Sequence, residues 1–269
     1  MANRRNLCLE VLLLLKKELE YLERFAGHDW NREYIKKGMM RTAFLFKKIA
    51  EYIPLENKRL LDLGCGMGNV SILGSKYSSH VVGLDISIKA VRRTKWRVDL
   101  RQIKGAHLVN GDALKLPFID EVFDLVIAYD LYEHVSDQDR LLEEILRVTN
   151  KKGFLVLTTG NRLFPFDRHT QLWFVDYLPK KLATQYVRLA NRGNSYRVFQ
   201  PTYWSLLKKL HKYSKATKVD GDSVLNLIED VYPIYFQKYR KTIPSLKVLA
   251  RIGMFKFVTP KFIVISQKL

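Results

Sequence analysis

The chain has 269 residues, 47% hydrophobic and 27% charged, a balance that excludes wholesale disorder and allows one enlarged domain or a domain with a cap. Two cysteines, Cys8 and Cys65, exclude a disulfide framework, and no Cys/His spacing matches a zinc site. The formal net charge of +19 is unevenly placed: residues 1–150 hold 24 Lys/Arg against 21 Asp/Glu, and residues 151–269 hold 22 against 6.

In chain order, arginines and a leucine run come first, superficially like a secretory signal. Glu10 breaks that run, no small-residue cleavage site follows, and Lys16, Lys17, Glu18 and Glu20 continue an amphipathic helical pattern. Helices are predicted over Leu7–Phe25 and Tyr34–Tyr52, with Pro54 closing the second. No stretch has the length to span a bilayer, so a cytoplasmic protein is expected. Short apolar runs then alternate with helix-compatible segments. The runs fall at Arg59–Leu63, His80–Leu84, Ala106–Val109, Phe123–Ala128 and Gly153–Thr158; the helices between them at Asn69–Tyr77, Ile88–Gln102 and Gln138–Val148. That alternation, with near-continuous apolar strands, predicts an α/β fold with a parallel sheet covered on both faces.

After Thr159 the rhythm breaks. Residues 161–200, aromatic and basic with Pro165 and Pro179 as punctuation, read as an insertion over the site, too short for a core of its own. A helix at Thr202–Tyr213 and strands at Thr217–Asp220 and Phe262–Ser266 complete the reading. Ten basic residues and no acidic one lie between Tyr177 and Val219, interleaved with Tyr186, Tyr196, Phe199, Tyr203 and Trp204. Such a field attracts a phosphorylated metabolite, an acidic lipid surface or a nucleic acid, or it is a solvated face that serves solubility.

The stretch Arg59–Ser71, RLLDLGCGMGNVS, carries the chemistry. An apolar strand runs into Gly64-Cys65-Gly66-Met67-Gly68 and then into a helix, so that a ligand can approach main-chain N–H groups at the turn. Asp85 ends the next strand about twenty residues on, placed to accept hydrogen bonds from both hydroxyls of a ribose. A dinucleotide fingerprint would place a small residue three positions after the second glycine; Asn69 stands there instead, which counts against a nicotinamide or flavin dinucleotide.

The run Asp62–Gly68 resembles the first motif of class I S-adenosylmethionine (SAM)-dependent methyltransferases. The likeness continues through Asp85, GDALKLPF at 111–118, FDLVIAYDLYEHV at 123–135 and KKGFLVLTTGN at 151–161, and extends loosely to the last strand. It implies a Rossmann-like fold with a mostly parallel seven-stranded sheet, N-terminal helices and a lid after the fifth strand. Within a single methyltransferase domain, residues 1–57 would form a helical cap, 58–160 the SAM-binding core, 161–200 the substrate lid and 201–269 the remaining sheet. It further implies that Gly64, Cys65 and Gly66 line the methionine part of SAM while Asp62 supports the turn. Asp85 would hold the ribose, Ile86 would flank the adenine, Asp112 with Ala113 would bind the adenine edge, and Tyr129 would lie beside the sulfonium.

Methyl transfer from a sulfonium needs alignment above all, and a hydroxyl acceptor also needs a base or a metal. DLYEH resembles a stretch of the ubiquinone-biosynthesis O-methyltransferases in which Asp130, Glu133 and His134 would hold a divalent cation; in relatives without metal the Glu-His pair orients a helix, and that structural role is the expectation here. In the lid, His169 beside Asp167 and Arg168 is a second candidate base, with the anchoring of the lid as the plainer alternative. Tyr129-Asp130-Leu131-Tyr132 lacks the Asp/Asn-Pro-Pro-aromatic signature of enzymes that methylate base or glutamine amines. The expected acceptor is therefore a small or lipid-linked molecule, methylated at oxygen and anionic, with peripheral contact to an anionic membrane surface. An RNA methyltransferase using the basic C-terminal surface is the alternative, and a non-enzymatic SAM-responsive module the third reading.

Overall fold

The computed structural model describes residues 32–220 and 259–268; the helix expected over Leu7–Phe25 lies outside them. Seven strands form one sheet: Leu60–Leu63 (β1), Val81–Asp85 (β2), Ala106–Asn110 (β3), Phe123–Tyr129 (β4), Thr149–Gly160 (β5), Ser214–Asp220 (β6) and Lys261–Lys268 (β7). Their spatial order is β3-β2-β1-β4-β5-β7-β6. Strands β1 to β5 pair in parallel, and β7 runs antiparallel to both β5 and β6.

Side chains of successive residues point to opposite faces of a strand, and both faces here are apolar. On one face Leu60, Leu125, Ile127, Val156, Ile263 and Ile265 pack with Ile35, Met39, Phe46 and Ile49 of Arg32–Ala50 (α1). Helices Asn69–Gly74 (α2) and Ile88–Leu100 (α3) complete that layer through Val70, Leu73 and Val98. On the other face Leu61, Leu63, Val126, Ala128, Leu155, Leu157 and Val264 meet Leu141, Leu142, Ile145 and Val148 of Gln138–Val148 (α4). Leu206 and Leu210 of Tyr203–Leu210 (α6) join them there. Burial of each such side chain stabilises the fold by roughly 1.5–3 kcal/mol. α1 is thus a layer of the core. Helix starts follow the sequence: the Ser87 side chain accepts from Ala90 N, Asp137 from Arg140 N, and Thr202 and Ser205 cap α6 reciprocally.

Two expectations need correction. The helix after the glycine turn ends at Gly74, not Tyr77, because Lys76 N and Tyr77 N donate to Leu73 O and Gly74 O and tighten the chain into turns. The lid, residues 161–200, does have a small core: Val175, Ala183, Val187, Tyr196 and Val198 are buried together around helix Lys180–Leu189 (α5). Tyr196 OH donates to Asp176 Oδ1 at 2.6 Å, and Gln200 Nε2 reaches both Asp167 Oδ1 and Asp176 Oδ2, so hydrogen bonds tie that core to the rest of the lid.

Candidate active site

The glycine turn leaves β1 through Gly64 at φ 73° and Gly66 at φ 50°. A Cβ on Gly64 would press on the Leu131 side chain at 3.0 Å, whereas one on Gly66 would meet nothing nearer than Gly64 O at 3.8 Å. Gly66 therefore borders open space, so a ligand can approach the turn closely there. Gly64 N and Cys65 N donate to Leu84 O, which ties the turn to β2. Helix α2 has no side-chain cap of its own. Asp62, fully buried, takes that role from the strand, its Oδ2 accepting from Ser71 N at 2.8 Å and Ser71 Oγ at 2.6 Å. Burial pushes the Asp62 carboxyl up to about 7 against the lowering pull of those two bonds. Burial likewise raises the Cys65 thiol and keeps it protonated.

Asp85 ends β2 beside the turn. Its Oδ2 accepts from Gly66 N at 2.9 Å and its Oδ1 from Ser87 N at 2.8 Å, which fixes the carboxylate while leaving further lone pairs toward the turn. Ile86 is 71% exposed next to it. Asp112 is exposed just past β3, its Oδ1 held by Leu114 N, and Ala113 beside it is half-buried. Tyr129 closes β4, one strand over from the turn. These residues thus line the carboxyl ends of β1 to β4, where ligands of open α/β sheets bind. Three further supports carry no sequence signal: Thr94 Oγ1 donates to Gly66 O, buried Arg97 to Met67 O and Asn69 Oδ1, and Asn110 Nδ2 to Asp85 O and Ile86 O. Each lies too far along the chain from the turn for spacing to reveal it.

Beyond Tyr129 lies a buried ionic network. Asp130, at φ 55°, accepts from Thr158 Oγ1 at 2.9 Å and pairs with Lys261 Nζ at 2.5 Å. Lys261, almost fully buried at the start of β7, also sits 4.1 Å from the centre of the Tyr129 ring. Burial alone would push the Asp130 carboxyl up, yet Lys261 and Arg168 hold it well below the usual carboxylate range. Burial pulls the Lys261 ammonium down to about 8, with Asp130 opposing. Glu133 is completely buried, and among the described residues neither of its carboxylate oxygens has a hydrogen-bond partner. Arg168 Nη2 and His169 Nε2 each stand 3.9 Å from its Oε1. Burial, then the nearby Asp130 charge, raise its pKa. The His134 and His169 rings meet edge to face with centres 4.8 Å apart, and burial lowers the His169 pKa against the opposing Asp167 carboxylate. Glu133, His134 and His169 bring donor atoms within 4.8 Å of one another. Asp130, expected with Glu133 and His134, is instead engaged by Lys261, and His169 of the lid completes the cluster.

This sheet, turn and acidic strand end have the arrangement that the resemblance to class I SAM-dependent methyltransferases implies. Residues 61–157 match the family model described as a methyltransferase domain. The chain is 26% identical over 162 residues to the ubiquinone biosynthesis O-methyltransferase of Pelagibacter ubique, covering 55% of this chain and 65% of that one. It is 38% identical over 111 residues to the demethylmenaquinone methyltransferase of Thermobifida fusca, covering 40% and 47%. The chain spans about half to two thirds of the length of these relatives. In fold it resembles the SAM-dependent methyltransferase of Mesorhizobium loti, with a TM-score of 0.59, 16% identity and coverage of 85% and 100%. The PH0226 protein of Pyrococcus horikoshii gives a TM-score of 0.58 at 18% identity, covering 93% and 99%. Among the described residues no helix is long and apolar enough to cross a membrane.

Proposed function

We propose that the chain methylates a small or lipid-linked acceptor that bears a ring and a negative group, at oxygen, with His169 as the base. The observation that carries this reading is the buried Glu133 beneath the paired His134 and His169 at the end of β4, where lid meets sheet. Relatives named for ubiquinone, demethylmenaquinone and tocopherol methylation support the substrate class. The aromatic contacts Phe166–Trp173–Phe174–Tyr177 support a ring-bearing acceptor.

SAM, when bound, supplies a methyl group already activated by its sulfonium. The open cradle at Gly66 fits that group, with Asp85 toward the ribose hydroxyls, Ile86, Asp112 and Ala113 toward the adenine, and Gly64 and Cys65 toward the methionine part. Lys261 and Thr158 fix Asp130 in its left-handed conformation and so set the main chain after Tyr129, where alignment matters most. His169, held neutral by its lowered pKa, takes the acceptor's hydroxyl proton, and the Glu133 carboxylate beneath it stabilises the resulting imidazolium. Glu133, His134 and His169 are also the residues that would hold a divalent ion. The Arg168 cation, 3.9 Å from Glu133 Oε1, already faces that carboxyl and would compete with such an ion. The base role uses the arrangement as it stands.

The outer lid supports a second element of this reading, peripheral contact with an anionic bilayer. Trp173, Phe174 and Tyr177 are 46%, 57% and 47% exposed on a strongly basic half of the chain. The test is transfer of labelled methyl from SAM into a cell extract split into lipid, water-soluble small-molecule, RNA and protein fractions, with Asp85→Ala as control. Label in the lipid or small-molecule fraction is expected. Label in RNA that ribonuclease removes would replace this reading with the basic surface as an RNA platform, and SAM binding retained by Asp85→Ala would overturn the cofactor site.

A further inference from the structure

A cavity of about 460 Å³ lies between the lid and the α4–α6 layer. No residue at the ends of β1 to β3 lines it, so it is separate from the SAM cradle. The first turns of three helices meet there: Gln138 opens α4, Lys180 opens α5, and Ser205 is the third residue of α6. Each helix has eight or more residues and brings the positive end of its dipole to the cavity; α4 and α6 carry side-chain caps on one N–H each, and α5, which starts after Pro179, has none.

Three cations join them. Arg162, Lys180 and Lys209 line the cavity from the lid entrance, from α5 and from α6. Arg162 donates through Nε to Asp176 O at 3.1 Å, and among the described residues its two terminal nitrogens have no partner. Lys180 Nζ donates to Val198 O and lies over the Phe199 ring at 4.9 Å, which holds it at the wall. Lys209 Nζ pairs with Asp139 Oδ2 at 3.0 Å on the rim. The carboxylate in the lining, Asp176, is already satisfied, its two oxygens accepting from Tyr196 OH and Gln200 Nε2. Tyr132 also lines the cavity and is fully buried, and its hydroxyl has no partner among the described residues. An unpaired buried hydroxyl is destabilising, a deficit that a ligand oxygen within reach would remove.

From three cations, three converging helix starts and this orphaned hydroxyl, we infer that the cavity is a binding site for a phosphoryl or carboxyl group carried on an apolar body. Phe199, Leu178 and the prolines beside it supply the apolar wall. Bidentate contact from Arg162 sets the geometry, since its planar fork matches two oxygens of such a group. The anion comes either from the acceptor itself, which would deepen the reading above, or from a separate small molecule bound beside it.

Phenyl phosphate is the probe, titrated into the full chain by calorimetry at low salt, with SAM titrated in parallel. Saturable binding is expected, weakened roughly tenfold or more in Arg162→Gln, as loss of a charge-assisted bond implies. Lys209→Gln, on the exposed rim, is expected to weaken it less, and both variants bind SAM as the parent does. No saturable binding, or equal binding by the Arg162→Gln/Lys209→Gln double variant, overturns the site. Because SAM binding is read separately, failure here leaves the methyltransferase reading standing, and failure of SAM binding leaves this site standing. Competition between phenyl phosphate and the labelled acceptor fraction assigns the anion to the acceptor; an effect on kcat without competition assigns it to a separate ligand.

Discussion

The half of the site proposed for the cofactor and the half proposed for the acceptor are built differently. At the ends of β1 to β3 the site is a turn shaped by three glycines and pinned by Asp62 and Asp85, all within a stretch of 24 residues. At the ends of β4, β5 and β7 it is a set of charged side chains brought from distant parts of the sequence: Asp130 with Lys261, Glu133 with Arg168 and His169. Main-chain groups cost little to present to a ligand, whereas buried charges require compensation from one another. The cofactor half is therefore expected to tolerate loss of single side chains that only brace it, and the acceptor half to fail when one partner is removed.

The largest expected effect breaks the acceptor half. His169→Gln should lower kcat by about 10²–10⁴-fold, the range for a general base, with SAM affinity unchanged by calorimetry. The same variant sharpens the pH dependence. His169 must be unprotonated to act and its pKa is lowered by burial, so the rate should rise with pH and reach its plateau below the ordinary histidine range. That acid limb should vanish in His169→Gln; a limb that persists unchanged would assign the base elsewhere. Next comes Lys261→Met, which removes the cation paired with the half-buried Asp130 and leaves it the more distant Arg168. A loss of about 3 kcal/mol is expected in denaturant unfolding, partly restored by adding Asp130→Asn.

In the cofactor half Asp85→Ala should weaken SAM binding roughly a hundredfold, the loss of two hydrogen bonds to a charged acceptor, with the circular dichroism spectrum unchanged. The smallest effect is expected for Ser71→Ala. It removes the hydroxyl bond to Asp62 but keeps the main-chain one, and should cost about 1 kcal/mol of stability with little change in SAM affinity.

This contrast also explains what could be read from the sequence. Strand and helix alternation, the glycine turn, Asp62 and Asp85 were legible because each depends on near neighbours and on a spacing that the chemistry dictates. Lys261 was not: within PKFIVISQK nothing distinguishes it from a surface lysine, and its burial follows only from the place of β7 beside β5. His169 and Glu133 were both singled out, but 36 positions separate them and no spacing joins a lid residue to a strand end. The lid's small core was missed for a similar reason. Val175, Ala183 and Val187 follow no single period, and Tyr196 and Val198 return to them from a stretch without regular structure.

The position of β7 also bears on the order in which the protein is made. β7 lies between β5 and β6 although it is encoded after both, so β6 has no edge to join until Lys261–Lys268 has been synthesised. Domains form as the chain emerges from the ribosome. A nascent chain can therefore complete the Gly64–Gly68 turn well before Lys261 exists, and the Asp130–Lys261 pair forms only once β7 has followed β5 and β6.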